Sequence, residues 1–248
     1  MLSASDHKII AFIPARGGSK GIHKKNIYLV NDKPLISYTI DAIIESGIAD
    51  EIYVSSDCDD ILNVCRRYEN VNGRSHEANK KKITTVSCIK RKENLALDTT
   101  TTDSVLTDFI HDISIDKSTS ILLLQPTSPL RDSVHIREAV SLYLDKRPDL
   151  LMSVFTPDHS PYKSFYLNTD GYLHPIAGKD APFMPRQALP PTYYPNGAIY
   201  LFSVDKFMQD NCIPRQNIIP FPMSSDVSID IDTINDIYKT ETILNARD

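Results

Sequence analysis

A chain of 248 residues with 41% hydrophobic content can bury a sizeable core and fits one domain, while a formal charge of −5 and a pI near 5.8 argue against a general nucleic-acid surface. No apolar run approaches the roughly 20 residues that a bilayer-crossing helix needs, and MLSASDHK lacks a basic n-region, so neither a membrane span nor a secretory leader is expected. Cys58, Cys65, Cys88 and Cys212 form no CxxC pair, which favours free thiols in a reducing, cytoplasmic compartment over a zinc site or a disulfide framework.

Ile9 to Ile13 form an unbroken apolar run, the pattern of a strand covered on both faces, and Pro14 ends it. The next stretch carries Gly17, Gly18 and Gly21 among Arg16, Ser19, Lys20, Lys24 and Lys25. Glycines let backbone N–H groups approach a ligand and the cations add charge, which makes an anion cradle. A nucleotide triphosphate is the favoured occupant; a flexible basic turn is the alternative. GGSKG is neither GxxxxGK[ST] nor GxGxxG, so neither a P-loop ATPase nor a dinucleotide dehydrogenase follows from it.

Pro34 opens a helix whose Leu35, Ile36, Ile40, Ile43 and Ile44 recur at helical spacing, with Gly47 as its stop. EIYVSS, residues 51–56, reads as a second strand, and DCDDILNVCRRY as a helix capped at Asp57 or a neighbour of Cys58. Asp57, Asp59 and Asp60 fit a helix opening better than a metal site, because carboxylates favour the positive end of the helix dipole. Strand alternating with helix predicts a parallel sheet with crossover helices. Residues 69–82 are polar, with Lys80, Lys81 and Lys82 in a row, and predict an exposed loop.

Val105, Leu106, Phe109, Ile110 and Ile113 share one face of a helix that begins in a threonine run. Donors at that entrance suit a phosphate or sugar, and the threonines serve equally as caps. Ser120 to Leu124 is a third buried strand leading into QPTSPLR, where two prolines stiffen a loop at a strand's carboxyl end. Gln125 there can donate and accept, as a sugar amide or hydroxyl requires, unless it is only a buried turn residue. Asp149 to Phe155 is a fourth strand; residues 156–195 then lose helical period and turn rich in Pro, Tyr and Phe.

Arg186 in PRQALPP offers a planar fork for a carboxylate, or a surface salt bridge. PNGAIY is a turn feeding a strand. In SIDIDT, alternation puts Ile229 and Ile231 on one face and Asp230 and Asp232 on the other. Two hard oxygen ligands suit Mg²⁺; the alternative is that Asp232 caps the closing helix of Ile234, Ile237, Tyr238 and Leu244.

IPARGGSKGIHKKNI, RKENLALDT, LLQPTSPLR followed by HIREAVSLYL, PRQALPP, PNGAIY and SIDIDT resemble, in this order, the CMP-sialic acid synthetase (acylneuraminate cytidylyltransferase) family with its bacterial legionaminate and pseudaminate relatives. The resemblance covers nearly the whole chain outside 69–82. It implies a doubly wound, mostly parallel Rossmann-like α/β sheet, residues 1–248 as one domain, and a 156–195 excursion that pairs two subunits. The implied reaction transfers CMP from CTP to the anomeric hydroxyl of an acidic nine-carbon sugar, releasing pyrophosphate. N-acetylneuraminic acid is the first expectation, and legionaminic or pseudaminic acid the alternatives. A cytoplasmic, Mg²⁺-dependent homodimer serving surface-glycan synthesis, with no nucleic-acid or membrane partner, completes the expectation.

By the same resemblance Arg16, Lys20 and Lys25 hold the triphosphate and the leaving pyrophosphate. Gly17, Gly18, Ser19, Asn26, Arg91 and Thr102 border the nucleotide. Gln125, Arg186, Asn196 and Tyr200 face the sugar, with Arg186 on its carboxylate, and Asp230 and Asp232 hold Mg²⁺. Tyr194 stands where neuraminate-specific members carry arginine, which leaves the choice of sugar open. A non-catalytic nucleotide sensor is the reading from another class, and the intact Lys25 with Asp230 and Asp232 argues against it.

Overall fold

The computed structural model describes residues 7–69 and 85–247; the polar tract expected at 69–82 lies, beyond Glu69, outside them. Strand β1 (Ile9–Pro14) is apolar throughout because both of its faces are covered. Ile9, Ala11 and Ile13 enter one core and Ile10 and Phe12 another, on opposite sides of the sheet. A short hairpin, β2 (Leu29–Val30) and β3 (Lys33–Pro34), leads into α1 (Leu35–Ser46), which Gly47 terminates at φ +64°. Next come β4 (Glu51–Ser56), α2 (Asp59–Arg66) and β5 (Thr85–Lys90). They are followed by α3 (Thr102–Ile113), β6 (Ser120–Leu123), α4 (Ser133–Lys146) and β7 (Leu150–Phe155).

After the hairpin β8 (Phe165–Leu167) and β9 (Leu173–Pro175), the chain re-enters the sheet as β10 (Tyr194–Ser203). It finishes with α5 (Val204–Asp210), β11 (Ile218–Pro222) and α6 (Ile234–Asn245).

Seven strands make one sheet in the order β11-β7-β10-β6-β1-β4-β5. Only β10 runs against the rest, antiparallel to both β6 and β7. Helices α1, α2 and α4 cover one face and α3 and α5 the other, so the expected doubly wound, mostly parallel sheet is what forms. The chain winds outward from β1 through β4 and β5, then returns to pair β6 on the other side of β1. This reversal places a crevice at the carboxyl ends of β1, β4, β5 and β6, the position where open α/β sheets bind ligands.

SIDIDT is an extended segment outside the sheet, although the alternation holds: Ile231 is buried while Asp230 and Asp232 are exposed. In α6 the inward residues are Ile237 and Thr240, and Ile234 and Tyr238 face outward. The aromatics of 156–195 do not build a satellite core: Phe165, Tyr166, Tyr172 and Phe183 are all exposed.

Candidate active site at the carboxyl edge of the sheet

A cavity of about 390 Å³ opens at that crevice. Arg16, Ser19, Lys20, Lys25, Asn26, Arg91, Thr102, Gln125 and Asp232 all line it, so residues drawn from five separate stretches of sequence meet there.

The glycine loop has its shape for local reasons. The Gly17 N–H donates to Asp57 Oδ1 at 2.8 Å, and a Cβ on Gly17 would come within 2.7 Å of Cys58 Cβ. Asp57 therefore anchors the loop instead of capping α2, whose N-cap residue is Cys58. Asp59 and Asp60 are likewise engaged, with Lys90 at 2.7 Å and Lys24 at 2.6 Å. A Cβ on Gly21 would sit 2.2 Å from the carbonyl oxygen of Asp232, so this glycine lets the two ends of the chain pack backbone against backbone. Gly18 has open space around it. Buried Asn26 closes the loop by donating from Nδ2 to the Arg16 carbonyl at 2.9 Å, and its Oδ1 has no hydrogen-bond partner.

The cations are not idle. Lys25 Nζ donates to the Ile231 carbonyl at 2.6 Å and to Asp232 Oδ1 at 2.8 Å, across 207 residues of sequence. Arg16 and Lys20 both pair with Asp98, at 2.8 and 3.1 Å. Lys20 and then Arg16 hold the Asp98 carboxyl below its usual range. Asp98 was not foreseen as a site residue: nothing in the period or composition of its loop sets it apart, and only its position between two cations does.

On the far wall Arg91 is buried and fixed by Ser55, from Nη2 to the carbonyl at 2.8 Å and from Nε to Oγ at 3.2 Å, and burial lowers its pKa. The cap of α3 is Thr101, whose Oγ1 accepts from the Ser104 N–H at 3.2 Å, which leaves Thr102 to line the cavity.

The remaining residues divide. Gln125 leaves the end of β6 with its side chain against Gly197, where a Cβ would lie 3.3 Å from Gln125 Oε1 and 3.9 Å from Asp230 Oδ2. Gly197 adopts φ +75° in a bulge where β10 changes register against β7. Asn196 does not reach the cavity. Its Oδ1 accepts from Ser153 Oγ at 2.5 Å and from the Ala198 N–H at 3.1 Å, while Nδ2 donates to Ser228 Oγ at 3.0 Å. It pins the bulge to β7 and to the start of SIDIDT.

Tyr200 lines an adjoining, mainly apolar groove of about 360 Å³ that shares Thr102 with the main cavity. Arg186 lies elsewhere, between two hollows of the excursion bordered by Ser160, Lys163 and Tyr193.

Asp230 is open to solvent yet crowded, and this crowding, with Asp232 adding to it, raises its pKa; Thr127 and Lys25 pull the other way. Asp232 does not cap α6. Thr233 is the N-cap residue, and Asp236 Oδ2 accepts from its N–H at 2.8 Å. Asp232 is thus free of the capping role that offered an alternative, and with Asp230 it makes two carboxylates only: among the described residues no cluster of three or more His, Cys, Asp or Glu is arranged to hold a metal.

A mostly parallel α/β sheet with a cationic glycine loop at its switch point is an arrangement whose charge and backbone donors suit an anionic ligand. The chain belongs to the cytidylyltransferase family, whose model matches residues 10–243. It is 34% identical over 231 residues to an N-acylneuraminate cytidylyltransferase of Streptococcus agalactiae serotype V, covering 92% of this chain and 51% of that protein. The chain therefore spans about half the length of that relative. A CMP-N,N'-diacetyllegionaminic acid synthase of Legionella pneumophila is 32% identical over 244 residues and covered to 96%, as is this chain. The fold is that of CMP:2-keto-3-deoxy-manno-octonic acid synthetase solved with CTP, at a TM-score of 0.66 and 15% identity over 97% of this chain and 99% of that one.

Proposed function

We propose that this protein transfers CMP from CTP to the anomeric hydroxyl of an acidic nine-carbon sugar and releases pyrophosphate. The observation that carries this is the convergence of Arg16, Lys20 and Lys25 with Asp232 on one cavity, from opposite ends of the sequence. Phosphoryl chemistry of this kind needs positioning and charge neutralisation more than covalent help from the protein.

In this reading Arg16 and Lys20 exchange the Asp98 carboxylate for triphosphate oxygens and then hold the departing pyrophosphate. Asn26 Oδ1, buried and unpartnered, accepts from a donor on the nucleotide. Arg91, anchored by Ser55, adds positive charge behind the phosphates, and the entrance of α3 adds backbone donors. Gln125 orients the sugar by donating and accepting at once.

The donor set fits Mg²⁺: two carboxylates, both hard oxygen ligands, one of them raised in pKa by crowding and by its neighbour's negative charge, a strain that a divalent cation relieves. Asp230 and Asp232 would hold it. When bound, the ion supplies neutralisation of the α-phosphate oxygens and acidification of the attacking hydroxyl.

Arg186 lies away from the cavity of its own chain, and the excursion around it exposes Leu167, Tyr172, Leu173, Ile176 and Phe183. Such an apolar surface suits pairing with a second copy, so each chain's Arg186 serves the sugar pocket of its partner. The free thiols of all four cysteines agree with a cytoplasmic site of action. No helix of the described residues is long and apolar enough to cross a membrane.

The test is pyrophosphate release from CTP in Mg²⁺ with N-acetylneuraminic, legionaminic and pseudaminic acids in turn. Release with at least one, and far more with CTP than with ATP, is expected, N-acetylneuraminic acid being the first candidate. No release with any of the three refutes the assignment.

A further inference from the structure

The loop that begins at Gln125 ends at Arg131, the largest side chain fully buried among the described residues. A buried arginine usually faces a carboxylate; this one faces neutral oxygens. Its Nη1 donates to the carbonyls of Gln125 at 3.3 Å and Ala198 at 3.1 Å, and its Nη2 to the Thr39 hydroxyl at 2.5 Å. The Thr39 hydroxyl in turn donates to the Gln125 carbonyl at 3.5 Å, closing a triangle. Asp132 offsets part of the burial through its charge but spends its hydrogen bonds at the start of α4, accepting from the Val134 and His135 N–H groups. Nε of Arg131 has no hydrogen-bond partner.

Stability does not account for this arrangement. A desolvated cation with no carboxylate hydrogen-bonded to it is costly, and an apolar side chain of similar size would fill the space at lower cost. What an apolar residue cannot do is hold three oxygens from three elements at once. Thr39 belongs to α1, Gln125 to the loop after β6, and Ala198 to the bulge of β10. Between Gln125 and Ala198 lies the Gly197 contact with the Gln125 amide. The fork therefore fixes the separation between the backbone that carries Gln125 and the bulge against which its side chain rests. A lysine ammonium, a point donor on a flexible stem, cannot reproduce that geometry.

We propose that Arg131 is a positioning residue for the sugar side of the site: by gripping Gln125 and the Gly197 bulge together, it sets where the Gln125 amide meets the acceptor sugar without touching either substrate. The inference rests on the cytidylyltransferase reading above.

The test measures the KM of the accepted sugar, kcat, and the Kd of CTP for the wild type, Arg131→Lys, Gln125→Ala and the double variant. Arg131→Lys should raise the sugar KM about tenfold and change the CTP Kd less than about twofold. Added to Gln125→Ala it should cost little more, because both changes remove the same placement. Thr39→Val, which deletes one corner of the triangle, should move the sugar KM in the same direction by about threefold, and it carries the test if Arg131→Lys does not fold. Equal weakening of sugar and CTP, or effects of Arg131→Lys and Gln125→Ala that multiply, overturns the positioning role while leaving the activity standing. A wild type that releases no pyrophosphate with any sugar overturns both.

Discussion

The two sides of the cavity are built by different physics. The loop side, Arg16 to Lys20 with Asp98, which the proposed function assigns to the nucleotide, displays charge on solvent-facing side chains, and its ion pairs can be exchanged for those of a ligand. The other side, Gln125 with the 196–200 bulge, which the proposed function assigns to the sugar, is fixed from beneath by buried hydrogen bonds around Asn196, Ser153 and Arg131. The first is a set of cations waiting for any polyphosphate; the second is a shape. Under the proposed function, discrimination between sugars belongs to the rigid side and the chemistry of the triphosphate to the exchangeable one.

Substitutions can break this division, and the largest effect is expected where the two ends of the chain touch. Lys25→Ala removes the cation that bridges to Ile231 and Asp232 and should lower the rate of pyrophosphate release about 100- to 1000-fold. Gly21→Ala sets a methyl group 2.2 Å from the Asp232 carbonyl and must part the two segments; about a 10- to 100-fold loss is expected in the same assay.

On the rigid side, Asn196→Ala strips partners from Ser153, Ala198 and Ser228. It should cost about 1–3 kcal/mol in urea unfolding and act through stability before it acts on turnover.

The smallest effect is one of pH. Asp230 has a raised pKa, so the folded protein holds that proton more tightly than the unfolded chain does. Its contribution to stability is full below the ordinary carboxylate range and is lost as pH rises through the raised value. The difference in urea midpoint between wild type and Asp230→Asn should follow that course, with the wild type losing ground as pH rises. A flat difference would show that Asp230 is not crowded.

The sequence made the exchangeable side legible because charge and glycine leave local marks: one apolar strand, one glycine cluster and a neighbouring helix period located it. In SIDIDT the alternation marks which face is buried, Ile231 inward and Asp230 and Asp232 outward, while pattern alone says nothing about whether a neighbouring strand is present. Strand β11 escaped notice because IIPFP carries two prolines, which argue against a strand unless it lies at a sheet edge, as this one does. Asn196 and Arg131 could not be placed in advance: both sit in polar-looking turns, and only the return of β10 between β6 and β7 buries them. The guanidinium of Arg186 marks it chemically, but its place away from the cavity, between hollows of the excursion, leaves no local mark in the sequence.

A crystal structure with CTP and Mg²⁺ tests the central claim most directly. The account predicts the triphosphate between Arg16 and Lys20, Asp98 displaced from both, and the metal on Asp230 and Asp232 beside Lys25. A nucleotide bound elsewhere, with the pairs of Asp98 intact and no metal at the two aspartates, would contradict it.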